Sequence, residues 1–155
     1  MKNPVAPPRA ESLHARLLGM WRLESRIDLD AAGQRRIDSV MGADPLGILC
    51  FSADRFAAQF MRRDRSPTPA ALPAGSGANN SSAVNGYDAY FGTYTVDEAA
   101  GTMRTTLEGA ITPANIGSVF ERHLAIAGGK LTIRLATQAV DGTPVTRTLT
   151  FARIS

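Results

Sequence analysis

The segment from Tyr90 to Leu135, YFGTYTVDEAAGTMRTTLEGAITPANIGSVFERHLAIAGGKLTIRL, breaks into four short alternating runs. Turn chemistry ends each of them, at Asp97 to Gly101, at Thr112 to Gly117 and at Gly128 with Gly129. No helical pattern long enough for a crossover lies between any two runs, so consecutive strands are expected to pair as antiparallel hairpins. That constraint governs how the rest of the chain can fold.

The flanking sequence extends the same pattern. Leu13, Leu17 and Leu18 have helical spacing and Gly19 stops them, which predicts a short capping helix. From Met20 the period changes to two: Trp21, Leu23, Ser25 and Ile27 alternate with Arg22, Glu24, Arg26 and Asp28, and the first set is expected to face the core. A strand is predicted from Arg35 to Met41. LGILCFSA and RFAAQFMRR read as two more around Asp54, and a last strand runs from Val145 to Arg153. In RFAAQFMRR, Phe56, Ala58 and Phe60 share one face while Ala57, Gln59 and Met61 share the other, and period alone leaves open which is interior. The expected fold is all-β, an antiparallel up-and-down barrel of about 8–10 strands with an N-terminal capping helix. Such a barrel is just wide enough to be filled by side chains or to hold one small ligand. A solid-cored sandwich is the alternative.

At 155 residues and 44% hydrophobic content the chain has material for one core. Residues 1–9 read as a flexible Pro-rich tail and residues 10–155 as a single domain. Within it, residues 62–86 include PTPAALPAGSGANNSS and are predicted to be a mobile loop or lid, with a helical turn around Ser82 to Tyr90. The net charge of +3 is spread along the strands, and Arg62, Arg63 and Arg65 beside Asp64 read as a solvated loop. No recognition helix or stacking motif accompanies them, so no nucleic-acid partner is expected. One cysteine, Cys50, and two histidines, His14 and His123, give no disulfide framework and no metal-ligand cluster. No cofactor is implied. MKNPVAPPRAESL carries prolines and charges where a signal peptide needs an apolar run, and nothing approaches a membrane span, which makes a cytoplasmic location with no membrane partner the expectation.

Arg122 is the leading candidate site residue. Period two places it with Ser118, Phe120, Leu124 and Ile126, opposite Val119, Glu121, His123 and Ala125. The first face is the more hydrophobic, so the guanidinium is expected to point inward, where it needs a partner because arginine does not lose its proton. Either a protein carboxylate, with Glu108 the candidate, or an anionic or carbonyl ligand would serve. Tyr94, in the alternation Tyr90, Gly92, Tyr94, Val96, is either a core tyrosine or a cavity phenol that would help Arg122 polarise an oxygen. Gln59, Ser25, Met103, Thr105, Phe120 and Leu124 are the further candidate ligand-binding residues. Cys50 lies in an apolar strand with no adjacent base, and neither histidine has a visible triad partner.

Leu17 to Trp21, LLGMW, resembles the Gly-x-Trp opening of lipocalins, in which a short helix runs into the first strand. Together with DPLGILCFSADRFAAQFMRRDR, YFGTYTVDEAAGTMRTTLEG and downstream Pro113, Gly117 and Arg122, the chain is similar from Leu17 to Arg153 to the bacterial and fungal lipocalin-like domain family. The resemblance implies a small barrel with a hydrophobic interior. It also implies that Arg153 packs across Trp21 at the closed end, and it raises the cofactor-independent cyclases, isomerases and dehydratases of natural-product pathways as a class of activity. Two departures stand out: Arg55 replaces the glycine expected after the hairpin Asp, and Thr105 or Thr106 occupies the position where relatives often carry a histidine. The second removes an acid/base group. Two functions are therefore expected to compete, an enzyme that folds an apolar substrate around Arg122 and Tyr94, and a binder or carrier of a hydrophobic small molecule. A two-fold homodimer is the expected assembly, being the commonest one.

Overall fold

A computed structural model describes residues 5–65 and 84–155 of the chain. After an exposed, irregular lead-in comes α1 (Leu13–Leu17), then nine strands: β1 (Gly19–Leu29), β2 (Arg35–Arg36), β3 (Leu46–Phe51), β4 (Arg55–Met61), β5 (Tyr87–Asp97), β6 (Thr102–Ala110), β7 (Val119–Ala127), β8 (Lys130–Gln138) and β9 (Pro144–Arg153). Each strand from β3 to β9 pairs antiparallel with the next, and β1 pairs with both β3 and β9. Eight strands thus close into an up-and-down barrel, and β2 is a short addition to β1.

The two ends of the barrel are built differently. At one end α1 closes the barrel. Ser12 Oγ accepts from Ala15 N at 3.0 Å, and Glu98 in the β5–β6 turn accepts from the backbone N–H groups of Leu13 and His14 at 2.8 and 2.9 Å. These bonds satisfy N-terminal amides of a helix too short to be stable alone. Trp21 is fully buried beneath it and donates through Nε1 to Leu17 O at 2.8 Å, while Arg153 lies 4.2 Å over the indole as the resemblance implied. The opposite end is formed by the turn after β2 and by the β6–β7 and β8–β9 connections. Glycine matters at the curl of β5: a Cβ on Gly92 would stand 1.9 Å from Thr106 O, beside a register shift in the β5–β6 ladder.

Two sequence expectations are corrected along β1 and β2. The β1–β9 register shifts between Leu23 and Ser25, a β-bulge that reverses the alternation. Trp21 and Leu23 face inward as expected. Beyond the bulge Arg26 and Asp28 are buried, while Ile27 and Leu29 are exposed. The strand expected from Arg35 to Met41 is only two residues long, because Asp38 Oδ1 accepts from Val40 N and Met41 N at 2.7 and 3.1 Å and turns the chain. That turn drops Met41, 1% exposed, into the barrel. The helical turn expected before Tyr90 is instead a bridge between Val84 and Tyr87 leading directly into β5. The expected lid lies largely outside the described residues. Arg55, which replaces a glycine expected by resemblance, opens β4 without a left-handed backbone.

The reversed parity brings charge inside. Asp28 and Arg147 are register partners across β1 and β9, and Arg147 donates through Nε and Nη2 to the two carboxylate oxygens at 2.8 and 2.9 Å. Arg26 donates to Asp38 Oδ2 at 2.9 Å and lies 3.8 Å from Asp28. Burial lowers the pKa of Arg26, as does Arg147, against the opposing pull of Asp38 and Asp28. For Asp38, burial works to raise the pKa, but Arg26 and the N–H groups of Val40 and Met41 outweigh it and hold the carboxyl below its ordinary value.

Asp28→Leu leaves Arg147 buried without its bidentate partner and is expected to destabilise the fold by about 3–5 kcal/mol in urea unfolding, with Asp28→Leu/Arg147→Met recovering most of that loss. Asp38 has a depressed folded pKa, so its stabilisation is full above the unfolded value of about 3.9 and is lost as pH falls through the folded value. Asp38→Asn should therefore be less stable at neutral pH and show a shallower loss of stability below about pH 4, measured by unfolding at a series of pH values.

Candidate functional site

Midway along the barrel the interior side chains leave a cavity. Aromatic rings from three strands, Phe56, Phe60, Tyr90 and Phe151, form one side, and Met103, Thr105, Phe120 and Arg122 from β6 and β7 form the other. Leu49, Ile133 and Leu149 complete an apolar wall. The rings meet edge-on, Phe56 with Tyr90 at 6.0 Å and Phe60 with Phe151 at 6.4 Å. About 30 Å³ is open to the centres of water-sized molecules, room for roughly two waters.

Arg122 is the charged member of this wall. It is 7% exposed, its Nη1 donates to Glu121 O at 3.1 Å, and its guanidinium lies 4.7 Å from the centre of the Phe120 ring. No carboxylate among the described residues pairs with it. Glu108, its expected partner, lies on the outer face and accepts from Arg55 Nη1 at 2.6 Å. Burial lowers the pKa of Arg122, with a smaller opposing effect of Tyr90 and a further lowering by Arg147. The side chain remains a cation, since arginine does not deprotonate in proteins. A neutral carbonyl and an aromatic face are weak compensation for a buried charge, and the cation is therefore equipped to take an acceptor oxygen from a ligand.

The structure gathers some expected site residues and disperses others. Met103, Thr105, Phe120 and Arg122 line one cavity, with Thr105 Oγ1 only loosely directed at Phe120 O, 3.5 Å away. Tyr94 faces inward but belongs to the closed end, where its hydroxyl donates to Ser52 O at 2.5 Å and its ring stands against His14 and Phe51. Burial, with the charge of Asp54, raises its pKa and keeps the phenol protonated. Leu124 also faces inward, opposite Ile133, but is not among the residues that line the cavity. Gln59 lies on the outer face, accepting from Tyr87 Oη at 2.8 Å. Ser25, paired with Thr150 just past the bulge, likewise faces out, and Cys50 is exposed. Tyr90 is the tyrosine that lines the cavity. It shares the alternation of Tyr94 but stands four residues away, about 13 Å along a strand. Among the described residues no group of three or more His, Cys, Asp or Glu side chains is placed to hold a metal ion.

A closed eight-stranded antiparallel barrel with a short helix over one end is the architecture of a lipocalin-like protein. A family model described as the lipocalin-like domain matches residues 18–154, and the chain belongs to that family. Comparison with curated proteins returns no match. The fold fits the binding of a small hydrophobic ligand. No helix among the described residues is long and apolar enough to cross a membrane.

Because Arg122 has no carboxylate partner among the described residues, replacing it with an apolar side chain of similar length removes a desolvated charge and orphans no anion among them. Arg122→Met is expected to match or exceed the wild type in stability, by up to about 2 kcal/mol, in thermal or urea unfolding. A loss comparable to that of Asp28→Leu would mean that Arg122 holds the fold together.

Proposed function

We propose that this protein binds a hydrophobic small molecule inside the barrel and anchors an anionic or carbonyl oxygen of it on Arg122. The carrying observation is the buried guanidinium of Arg122, which faces an aromatic cavity without a carboxylate partner among the described residues. A charge so placed orients a ligand strongly, because the surrounding wall offers few competing polar groups. Apolar contact with Phe56, Phe60, Met103 and Phe120 supplies affinity, while Arg122 and Thr105 supply orientation.

A second reading makes the barrel a cofactor-independent cyclase, isomerase or dehydratase. It draws on the same cation. A guanidinium in a desolvated site stabilises negative charge as it develops on an enol or carbonyl oxygen, and an enclosing apolar wall holds a flexible substrate in one reactive shape. Tyr90, close enough to influence Arg122, takes the polarising role expected of Tyr94. The absence of histidine at Thr105 and Thr106 turns this reading towards orientation and electrostatics and away from proton transfer.

Calorimetric titration with acetate, a carboxylate small enough for the closed cavity, separates these roles from a purely structural one. Wild type should bind it, Arg122→Leu should bind it at least about tenfold more weakly while keeping the same circular dichroism, and Tyr94→Phe should bind like the wild type. Equal binding by wild type and Arg122→Leu would remove Arg122 as the anchor.

A further inference from the structure

The interior cavity is small for a hydrophobic ligand, but one of its walls is thin. Along β1 the ladder to β3 runs from Gly19 opposite Phe51 to Arg22 opposite Ile48 and has no further pair among the described residues. Past that point β1 bulges and follows β9, while β3 continues through Gly47 and Leu46 with β4. No backbone ladder joins β1 and β3 here, and the seam is filled from inside by Leu23, whose Cβ lies 3.0 Å from where a Cβ on Gly47 would stand. On the outside this unlaced seam borders an open groove with about 550 Å³ open to the centres of water-sized molecules, far more than the cavity. Leu46, Ile48 and Met61 line its outer face, Arg22 and Arg63 stand at its rim, and inward-facing Leu23 and Phe60 form its floor.

Phe60 belongs to both spaces, one side of its ring lining the interior cavity and the other the floor of the groove. Gly47 makes this possible. It pairs with Phe60 across β3 and β4, and a Cβ there would lie 2.5 Å from Phe60 Cδ1 and 3.0 Å from Leu23 Cβ. A missing side chain on β3 therefore leaves the Phe60 ring, with Leu23 beside it, as the partition between cavity and groove.

We infer that the interior site and the lateral groove form one elongated binding site for an amphipathic carboxylate, with the head group on Arg122 and an aliphatic tail that displaces the Phe60 ring, passes Gly47 and lies in the groove over Ile48 and Met61. This rests on the interior binding proposed above and assigns its ligand class, a chain too long for the closed interior. Movement of Phe60 joins the two spaces without breaking any strand pair, since the β1–β3 ladder already ends at Arg22. Arg22 and Arg63 at the rim leave the tail's outer end in a polar setting, which favours a ligand with a second polar or bulky group there.

The test uses two probes: acetate, small enough for the interior alone, and dansyl-undecanoate, a fatty acid with its fluorophore at the far end of the chain. Wild type should bind dansyl-undecanoate with a blue-shifted emission and more tightly than acetate. Ile48→Glu, which puts a charge into the groove from the outer face, should weaken dansyl-undecanoate by at least about tenfold and leave acetate within about twofold. Met61→Glu makes the same test from the neighbouring strand. Unchanged dansyl-undecanoate affinity in both variants overturns the proposal. If acetate binds through Arg122 but dansyl-undecanoate does not bind wild type, the extension into the groove is wrong while the interior site stands. If neither probe binds, the interior reading fails first.

Discussion

The barrel depends on the seam between its first and last strands, and that seam is fastened from inside by the Asp28–Arg147 pair. The other ladders of the barrel join strands that follow one another around it, by hairpins or short connections except for β1–β3, which spans β2, and β4–β5, which is joined through residues 62–86. β1 and β9 are separated by nearly the whole chain, and their pairing carries a large loop-closure cost that local turns do nothing to offset. A bidentate ion pair at a register position fixes the alignment, because a slip of one residue would turn Asp28 to solvent and take its carboxylate away from Arg147. Buried ion pairs are weak sources of net stability, and specifying register is among their best-attested uses.

The bulge that allows this pairing is also where the sequence misled. Trp21, Leu23, Ser25 and Ile27 form an uninterrupted alternation, and nothing local marks Glu24 as the residue at which it reverses. The determinant is distant: Arg147 on β9 needs a carboxylate, and Asp28 meets it only if parity changes. Elsewhere the fold was legible, because hairpins carry their own information. Asp54, Gly101 and Gly128–Gly129 marked turns that the structure contains, and the four runs between Tyr90 and Leu135 are β5 to β8. The strand expected to reach Met41 was lost to Asp38, whose side chain competes with the ladder for backbone N–H groups.

The candidate site shows a different limit of periodicity. Alternation tells which face of a strand a residue occupies but not its depth along the barrel axis. Arg122, Phe120, Met103 and Thr105 were legible as cavity residues because paired strands put them at one level, Met103 opposite Arg122 and Thr105 opposite Phe120. Tyr94 had the right face and the wrong level, where its phenol serves the closed end through Ser52. Tyr90 had both. Gln59 was misplaced for the simpler reason that both faces of RFAAQFMRR are apolar enough to be interior, and two phenylalanines decided against it.

The unlaced seam has a consequence for how the protein keeps to itself. A closed barrel has no strand edge to offer a neighbour, but beyond Arg22 one flank of β1 has no ladder partner among the described residues until β2 arrives at Asp28. Such a flank is a template for pairing with another chain, and natural sheets guard it with charge, distortion and brevity. All three are present: Arg22 and Glu24 flank the gap, the bulge twists the strand out of plane, and two-residue β2 shortens the exposed run. The seam where we place a flexible aliphatic chain is thereby made a poor landing place for a stiff polypeptide one.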